Sequence, residues 1–133
     1  MWKIDSNGMK VPTTKKLTVH NDVSDVLVLI FDEIFNDPER FPIDNATTGS
    51  YSDRGNTSSL HNYGLAVDIN WNANAMFNSN GTIRAGTHYS PGVDPLSIPA
   101  GGSVVRAFEN HGWYWGGNWN SSKDYMHFAY MNH

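Results

Sequence analysis

The chain has 133 residues, close to the size at which one hydrophobic core serves a whole domain, and residues 1–133 are expected to form one domain and a monomer. Nine Lys and Arg against thirteen Asp and Glu leave a formal charge of -4, which offers no basic field to nucleic acid or to an anionic membrane surface. Cysteine is absent, which excludes a disulfide framework and a closed thiolate metal site but does not fix the compartment.

Taken in chain order, Met1-Trp2-Lys3-Ile4-Asp5 has no apolar run of signal-peptide type, and no later segment is long enough to span a bilayer. Asp22 to Asn36 is predicted helical, because Val23, Val26, Leu27, Ile30, Ile34 and Phe35 recur at helical spacing and Pro38 closes the run. Arg40-Phe41-Pro42-Ile43 reads as a short extended segment and Gly49 to Ser58 as a polar loop. Leu65 to Asn70 alternates as a strand should, with Leu65, Val67 and Ile69 toward one side and Ala66, Asp68 and Asn70 toward the other. Asn80-Gly81 is a turn signal between two short strands. Pro91 to Gly102 is loop, after which Ser103 is expected to cap a second helix from Val104 to about His111, ended by Gly112. The last strand is predicted over Met126 to Tyr130. This order implies an α+β domain, a small antiparallel sheet with flanking helices that carries the functional groups on one face.

His61 and Asp68 stand seven residues apart, and Asp124-Tyr125-Met126-His127 places a second carboxylate three residues before a second histidine. A seven-residue step along a helix rises about 10.5 Å, too far for two donors that must each lie about 2 Å from one ion. A continuous strand fails as well, because an odd separation sends the two side chains to opposite faces. The chain must therefore turn between them, and Gly64 tolerates the backbone angles a turn needs. Two neutral imidazoles and one carboxylate are a zinc-binding set that leaves one of four positions open for water, the pattern of catalytic zinc. Asp124 is the candidate to take a proton from that water, or else to orient a ligand. In an uninterrupted strand Asp124 and His127 would face opposite ways, so Asp124 is predicted to lie in a turn or bulge just before the strand.

With these blocks in view, Ser59-x-His61-x-x-Gly64-x-Ala66-x-Asp68 followed by Gly112-Trp113, Gly116-Gly117-x-Trp119 and Asp124-x-x-His127-Phe128 resembles the zinc-dependent D-alanyl-D-alanine carboxypeptidase family. The likeness runs from about Arg54 to Tyr130 and leans toward the branch of L-alanyl-D-glutamate endopeptidases found among bacterial cell-wall and phage-lysis enzymes. It implies a Hedgehog-like zinc fold in which His61, Asp68 and His127 hold Zn2+, Asp124 is the catalytic base, and Arg54 holds substrate or polarises its carbonyl. It also implies a peptidoglycan stem peptide as substrate and action in the cell wall. With no leader in these residues, delivery by phage lysis, or a longer parent chain, is expected.

Other residues carry competing readings. Trp113 and Trp115 alternate as core residues do, yet Trp115 or Trp119 is a candidate cleft wall against stem peptide or sugar, and Gly116-Gly117 signals close approach of a ligand or of another backbone segment. His111 is read as structural at a helix C-terminus, Ser59 as a hydrogen-bonding residue of the metal loop, and Asp53 as a loop partner of Arg54. His20, His88 and His133 have no partner pattern. Three further functions stay open: D-alanyl-D-alanine carboxypeptidase, a non-hydrolytic zinc-containing wall-binding module, and a glycosidase using Asp68 and Asp124 as paired carboxylates.

Overall fold

The computed structural model describes residues 1–52, 55 and 59–130. In chain order these form β1 (Trp2–Ile4), β2 (Lys10–Pro12), α1 (Asn21–Asn36), β3 (Ala66–Asp68), β4 (Asn74–Phe77), β5 (Ile83–Tyr89), α2 (Ser103–Asn110), β6 (Tyr114–Trp115), β7 (Lys123–Asp124) and β8 (His127–Ala129). Among the described residues the strands make a β1-β2 hairpin and two three-stranded antiparallel sheets, ordered β3-β8-β6 and β5-β4-β7. The class is α+β as expected, but the strands divide among small sheets instead of forming one. The division falls just after β3, where Asn70 takes a left-handed φ of 50° and turns the chain away before β4 begins.

The first helix follows its apolar period. Val23, Leu27, Ile30 and Ile34 form the buried stripe of α1. His20 opens the helix, its Nδ1 accepting the Asp22 N–H at 3.1 Å, and the chain turns extended at Asp37 ahead of Pro38. The β1-β2 hairpin, which no motif announced, packs on the far end: Trp2 stacks on Phe35 at 4.9 Å and its indole N–H donates to the Phe35 carbonyl at 2.8 Å. The segment Arg40 to Ile43, expected to be extended, begins instead with a left-handed Arg40 (φ 49°) whose guanidinium lies over the Trp2 ring. Only then does Pro42 bridge Trp2, and Ile43 donates to the Trp2 carbonyl at 2.8 Å.

The start of α2 corrects the expected cap. Gly102, not Ser103, is the N-cap residue and makes no side-chain cap bond; Ser103 is the first helical residue and is buried. The orphan N–H of Ser103 donates instead to a carboxylate oxygen of Glu39 at 2.9 Å, from the loop that follows α1. An anion at a helix N-terminus is favoured by the helix dipole, so a tertiary contact does what local sequence was expected to do. At the other end, His111 bonds Glu33 of α1 at 2.6 Å, which gives it the structural role read from sequence through a named partner.

Between the two helices and the β3-β8-β6 sheet lies the apolar core. Phe108 of α2 stacks on Phe128 of β8 at 4.2 Å, and Val67, Ile69, Trp113 and Trp115 close around them with at most 3 % exposure. Side chains of this size stabilise a fold by about 1.5–3 kcal/mol each when buried. The register then sorts the sheet's two faces. Val67 pairs with Phe128, and Phe128 with Trp115, all toward the core; Asp68 pairs with His127, one residue along and therefore on the opposite face.

Glu39→Ala removes the carboxylate that caps α2 and is expected to lower stability by about 1 kcal/mol, as loss of an N-cap does. Urea unfolding checks this, and a midpoint unchanged from the parent would show that water replaces the contact at no cost.

Candidate metal centre

Three local devices aim the candidate donors. Ser59 opens one turn of 3-10 helix, Leu60–Tyr63, its hydroxyl accepting the His61 N–H at 3.3 Å; this is the loop role expected of it. Gly64 ends that turn in the left-handed region at φ 65°, and a Cβ there would stand 2.6 Å from the backbone nitrogen of His20. Only glycine meets both demands, so the hinge between His61 and Asp68 rests on it. Past the hinge β3 carries Asp68, and its antiparallel partner β8 carries His127 directly opposite. On the other edge of β3, Gly49 exchanges both backbone bonds with Asp68, at 2.8 and 3.0 Å, which holds the carboxylate's backbone from both sides.

These elements bring His61, Asp68 and His127 together as a group able to hold a metal ion. His61 Nε2 lies 3.3 Å from His127 Nδ1 and 3.3 Å from Asp68 Oδ1, and His127 Nδ1 lies 3.5 Å from the same oxygen. Ligands at about 2.0–2.1 Å from one tetrahedral zinc ion stand about 3.3 Å from each other. The residues present therefore fit zinc by the lengths of the triangle they form as well as by chemical type. The tautomer of His61 fits too: Nδ1 faces the Ser50 carbonyl at 2.8 Å, an acceptor only, so Nδ1 carries the proton and Nε2 keeps its lone pair for a metal.

The electrostatics agree with a cation site. Burial by itself would raise the Asp68 carboxyl, but when the His127 and His61 rings are protonated their hydrogen bonds and charge outweigh it and hold the group well below the usual carboxylate range. Asp68 is thus ready as an anionic ligand, and all three side chains are at most 14 % exposed.

Asp124 is placed differently from the expectation. It lies on β7, opposite Met76 in the second sheet, and the turn predicted at Asp124 falls instead at Tyr125–Met126. The reason is clamping by neighbours. Tyr125 stacks on Tyr89 at 3.6 Å, and its carbonyl accepts the Trp115 indole N–H at 2.8 Å, so the reversal is held one residue later. Tyr89 is itself tied down, its hydroxyl donating to the Ile98 carbonyl at 2.6 Å; burial, with the Tyr125 phenol beside it, pushes its pKa up to about 12. Asp124 is buried and stands outside the three-donor triangle. Its backbone presses against Gly116, where a Cβ would collide with the Asp124 carbonyl, and this is the close approach that Gly116-Gly117 signalled.

The two candidate cleft tryptophans separate. Trp115 is 3 % exposed and belongs to the core, so the cleft-wall expectation for it is corrected: its register with Phe128 turns it away from the Asp68–His127 face. Trp119, half-buried, meets the His127 ring edge-on at 5.6 Å and supports that ligand's orientation. Arg54, Asp53 and His133 lie outside the described residues. His88, for which no partner was foreseen, bonds Asp94 at 2.7 Å, and His20 serves as a helix cap.

Sequence reasoning missed the residues that shape the opening. A cleft of about 370 Å³ reaches His61 and Asp68 between Gly49, Ser50, Tyr51, Ser52 and Trp71. The Ser50 carbonyl could not be found from sequence, since any residue supplies one. Trp71, three residues after Asp68, was open to notice.

The profile of the family described as D-alanyl-D-alanine carboxypeptidase matches residues 52–130, more than half of the chain. No curated protein and no solved structure matches it. The matched stretch contains the three donors, Trp119 and Asp124, and leaves out the β1-β2 hairpin and α1. The chain belongs to the D-alanyl-D-alanine carboxypeptidase family and is a peptidoglycan peptidase.

Proposed function

We propose that this peptidase is zinc-dependent and cuts the L-alanyl-D-glutamate bond of peptidoglycan stem peptides, acting as a monomer in the cell wall. The triangle of His61, Asp68 and His127 donors, 3.3 to 3.5 Å on a side, carries the zinc reading. The scissile bond rests on the likeness of the Gly112 to His127 block to endopeptidases of this type. Hydrolysis of D-alanyl-D-alanine is the second reading, favoured by the description of the matching family.

Bound zinc supplies a lowered pKa for a water molecule and polarisation of the amide carbonyl. The chain's own groups do the rest. The Ser50 carbonyl fixes the His61 tautomer, and Trp119 holds the His127 ring by its edge. In this reading Asp124 accepts the proton of the attacking water and passes it to the leaving amine; its burial and its place three residues before His127 support the role. Arg54 holds the charge that develops on the carbonyl oxygen. The match to a peptidase family weighs against a wall-binding role without hydrolysis, and a glycosidase would leave the two histidines without a purpose.

Asp124→Ala is expected to lower kcat by about 10²–10⁴-fold, the usual worth of a general base, while zinc stays bound. His127→Ala is expected to lose zinc as well as activity; metal analysis of both variants, beside muropeptide turnover, separates base from ligand. An Asp124 variant with full activity sinks the assignment. Mass spectrometry of fragments from defined muropeptides decides between the two scissile bonds.

Zinc affinity is expected to fall as pH drops, because a protonated imidazole cannot bind metal. Asp68 is held ionised well below the usual carboxylate range, so release on acidification should put protons on the two imidazoles alone, two per ion. Three protons per ion, measured by zinc competition across pH, would show instead that Asp68 titrates with the histidines.

A further inference from the structure

Asn70 is a buried non-glycine residue held at a φ of 50°, a conformation that is ordinarily costly and persists only where surroundings over-determine it. Its side chain does so: Oδ1 accepts the Asp44 N–H at 2.7 Å, and Nδ2 donates to the carbonyls of Pro42 and Leu96 at 3.0 and 3.1 Å. The chain therefore turns sharply two residues after Asp68. Trp71 comes next, with its backbone pinned on both sides. Its N–H donates to the Thr47 carbonyl at 2.9 Å, and its own carbonyl abuts Gly86, where no Cβ would fit.

The Trp71 indole is 37 % exposed and lines the same cleft as His61 and Asp68, with Tyr51, 53 % exposed, at the rim. Its six-membered ring lies by Gly49, where an added Cβ would just touch Cζ3 at 3.6 Å, and Gly49 is the residue bridged to Asp68. Tyr51 is held as well, its N–H donating to the Thr18 carbonyl at 3.0 Å. An exposed indole alone is ordinary. One with a fixed backbone beside a metal-ligand set is a preorganised platform, whose occupation costs little further ordering.

The occupant follows from size and chemistry. In a muropeptide the alanines are too small to cover an indole and the D-glutamate is charged, whereas a pyranose ring offers an apolar C–H face of matching area. We propose, building on the L-alanyl-D-glutamate reading, that Trp71, with Tyr51 at the rim, is the platform on which the N-acetylmuramic acid ring stacks while the adjoining peptide bond lies at the donor triangle. The sugar is joined to L-Ala through its lactyl ether, so a single residue separates it from the L-Ala–D-Glu bond. The D-Ala–D-Ala bond is three residues further out, roughly 10 Å of extended chain. A platform sharing the donors' own cleft suits the shorter span.

The test uses the zinc-loaded 133-residue chain and two substrates, MurNAc-L-Ala-D-Glu-L-Lys and D-lactoyl-L-Ala-D-Glu-L-Lys, which differ only in the sugar. Trp71→Ala is expected to raise KM for the sugar-bearing substrate about tenfold with kcat nearly unchanged, and to leave the sugar-free substrate within about twofold, as loss of a stacking face does. Trp71→Phe is expected to restore most of the difference. Equal effects on both substrates, or none on either, would overturn the platform and leave the peptidase reading standing. If the parent chain cuts neither substrate, the L-alanyl-D-glutamate reading fails instead. The platform is then decided by titrating N-acetylmuramic acid alone and following the indole N–H resonances: a shift that disappears in Trp71→Ala supports it, and no shift overturns it.

Discussion

The antiparallel register that sets Asp68 of β3 against His127 of β8 is the constraint on which the rest depends. Side chains on a strand alternate with a period of two, so this register also sends Val67 and Phe128 together into the core. Core and site are thus two faces of one pairing. A slip of β3 by one residue would turn Asp68 toward Phe108 and Trp115 and send Val67 out beside His127. The apolar stacking of Phe108 on Phe128 therefore defends the metal geometry without touching it.

The remaining donor arrives by a different route. His61 lies on a short 3-10 turn rather than on a strand, and it reaches the pair because Gly64 reverses the chain against the backbone of Val19 and His20. Two donors on rigid strands and one on a capped turn give a triangle with little freedom. The cost of gathering a carboxylate and two imidazoles in a buried place is offset by their mutual hydrogen bonds, seen in how far the Asp68 carboxyl is held below its ordinary range. Bound metal would strengthen the same arrangement, because its charge meets a ligand that is already ionised.

Asp124 and Trp71 belong to the other half of the molecule. Asp124 sits on β7, in the sheet that also holds β4 and β5, and Trp71 lies in the turn that leads into β4. The three donors lie on or beside the first sheet, and the cleft that reaches two of them is walled in part by Trp71, where the chain passes into the second sheet. The buried Asn70, with Asn74 donating to the carbonyls of Ile69, Asn70 and Leu96, ties that junction together. Such a fully bonded polar knot holds a geometry that apolar packing alone would leave loose.

Much of this was legible in the residues themselves. Apolar period marked α1 to within a residue of its start, alternation marked β3, Asn80-Gly81 marked the β4-β5 hairpin, and the motif contexts of His61, Asp68 and His127 named the donors that meet. These are local or motif-borne signals, and each depends on neighbours within a few positions. What only the tertiary structure decided was every feature that needs two distant segments at once. Glu39 caps α2 from sixty-four residues away, Tyr89 and Trp115 clamp Tyr125 and so move the turn past Asp124, and the pairing with Phe128 sends Trp115 inward. The Ser50 carbonyl that sets the His61 tautomer is of the same kind. Backbone groups are identical at every position, so their roles appear only once folding has chosen which of them stand within 3 Å of a side chain that needs a partner.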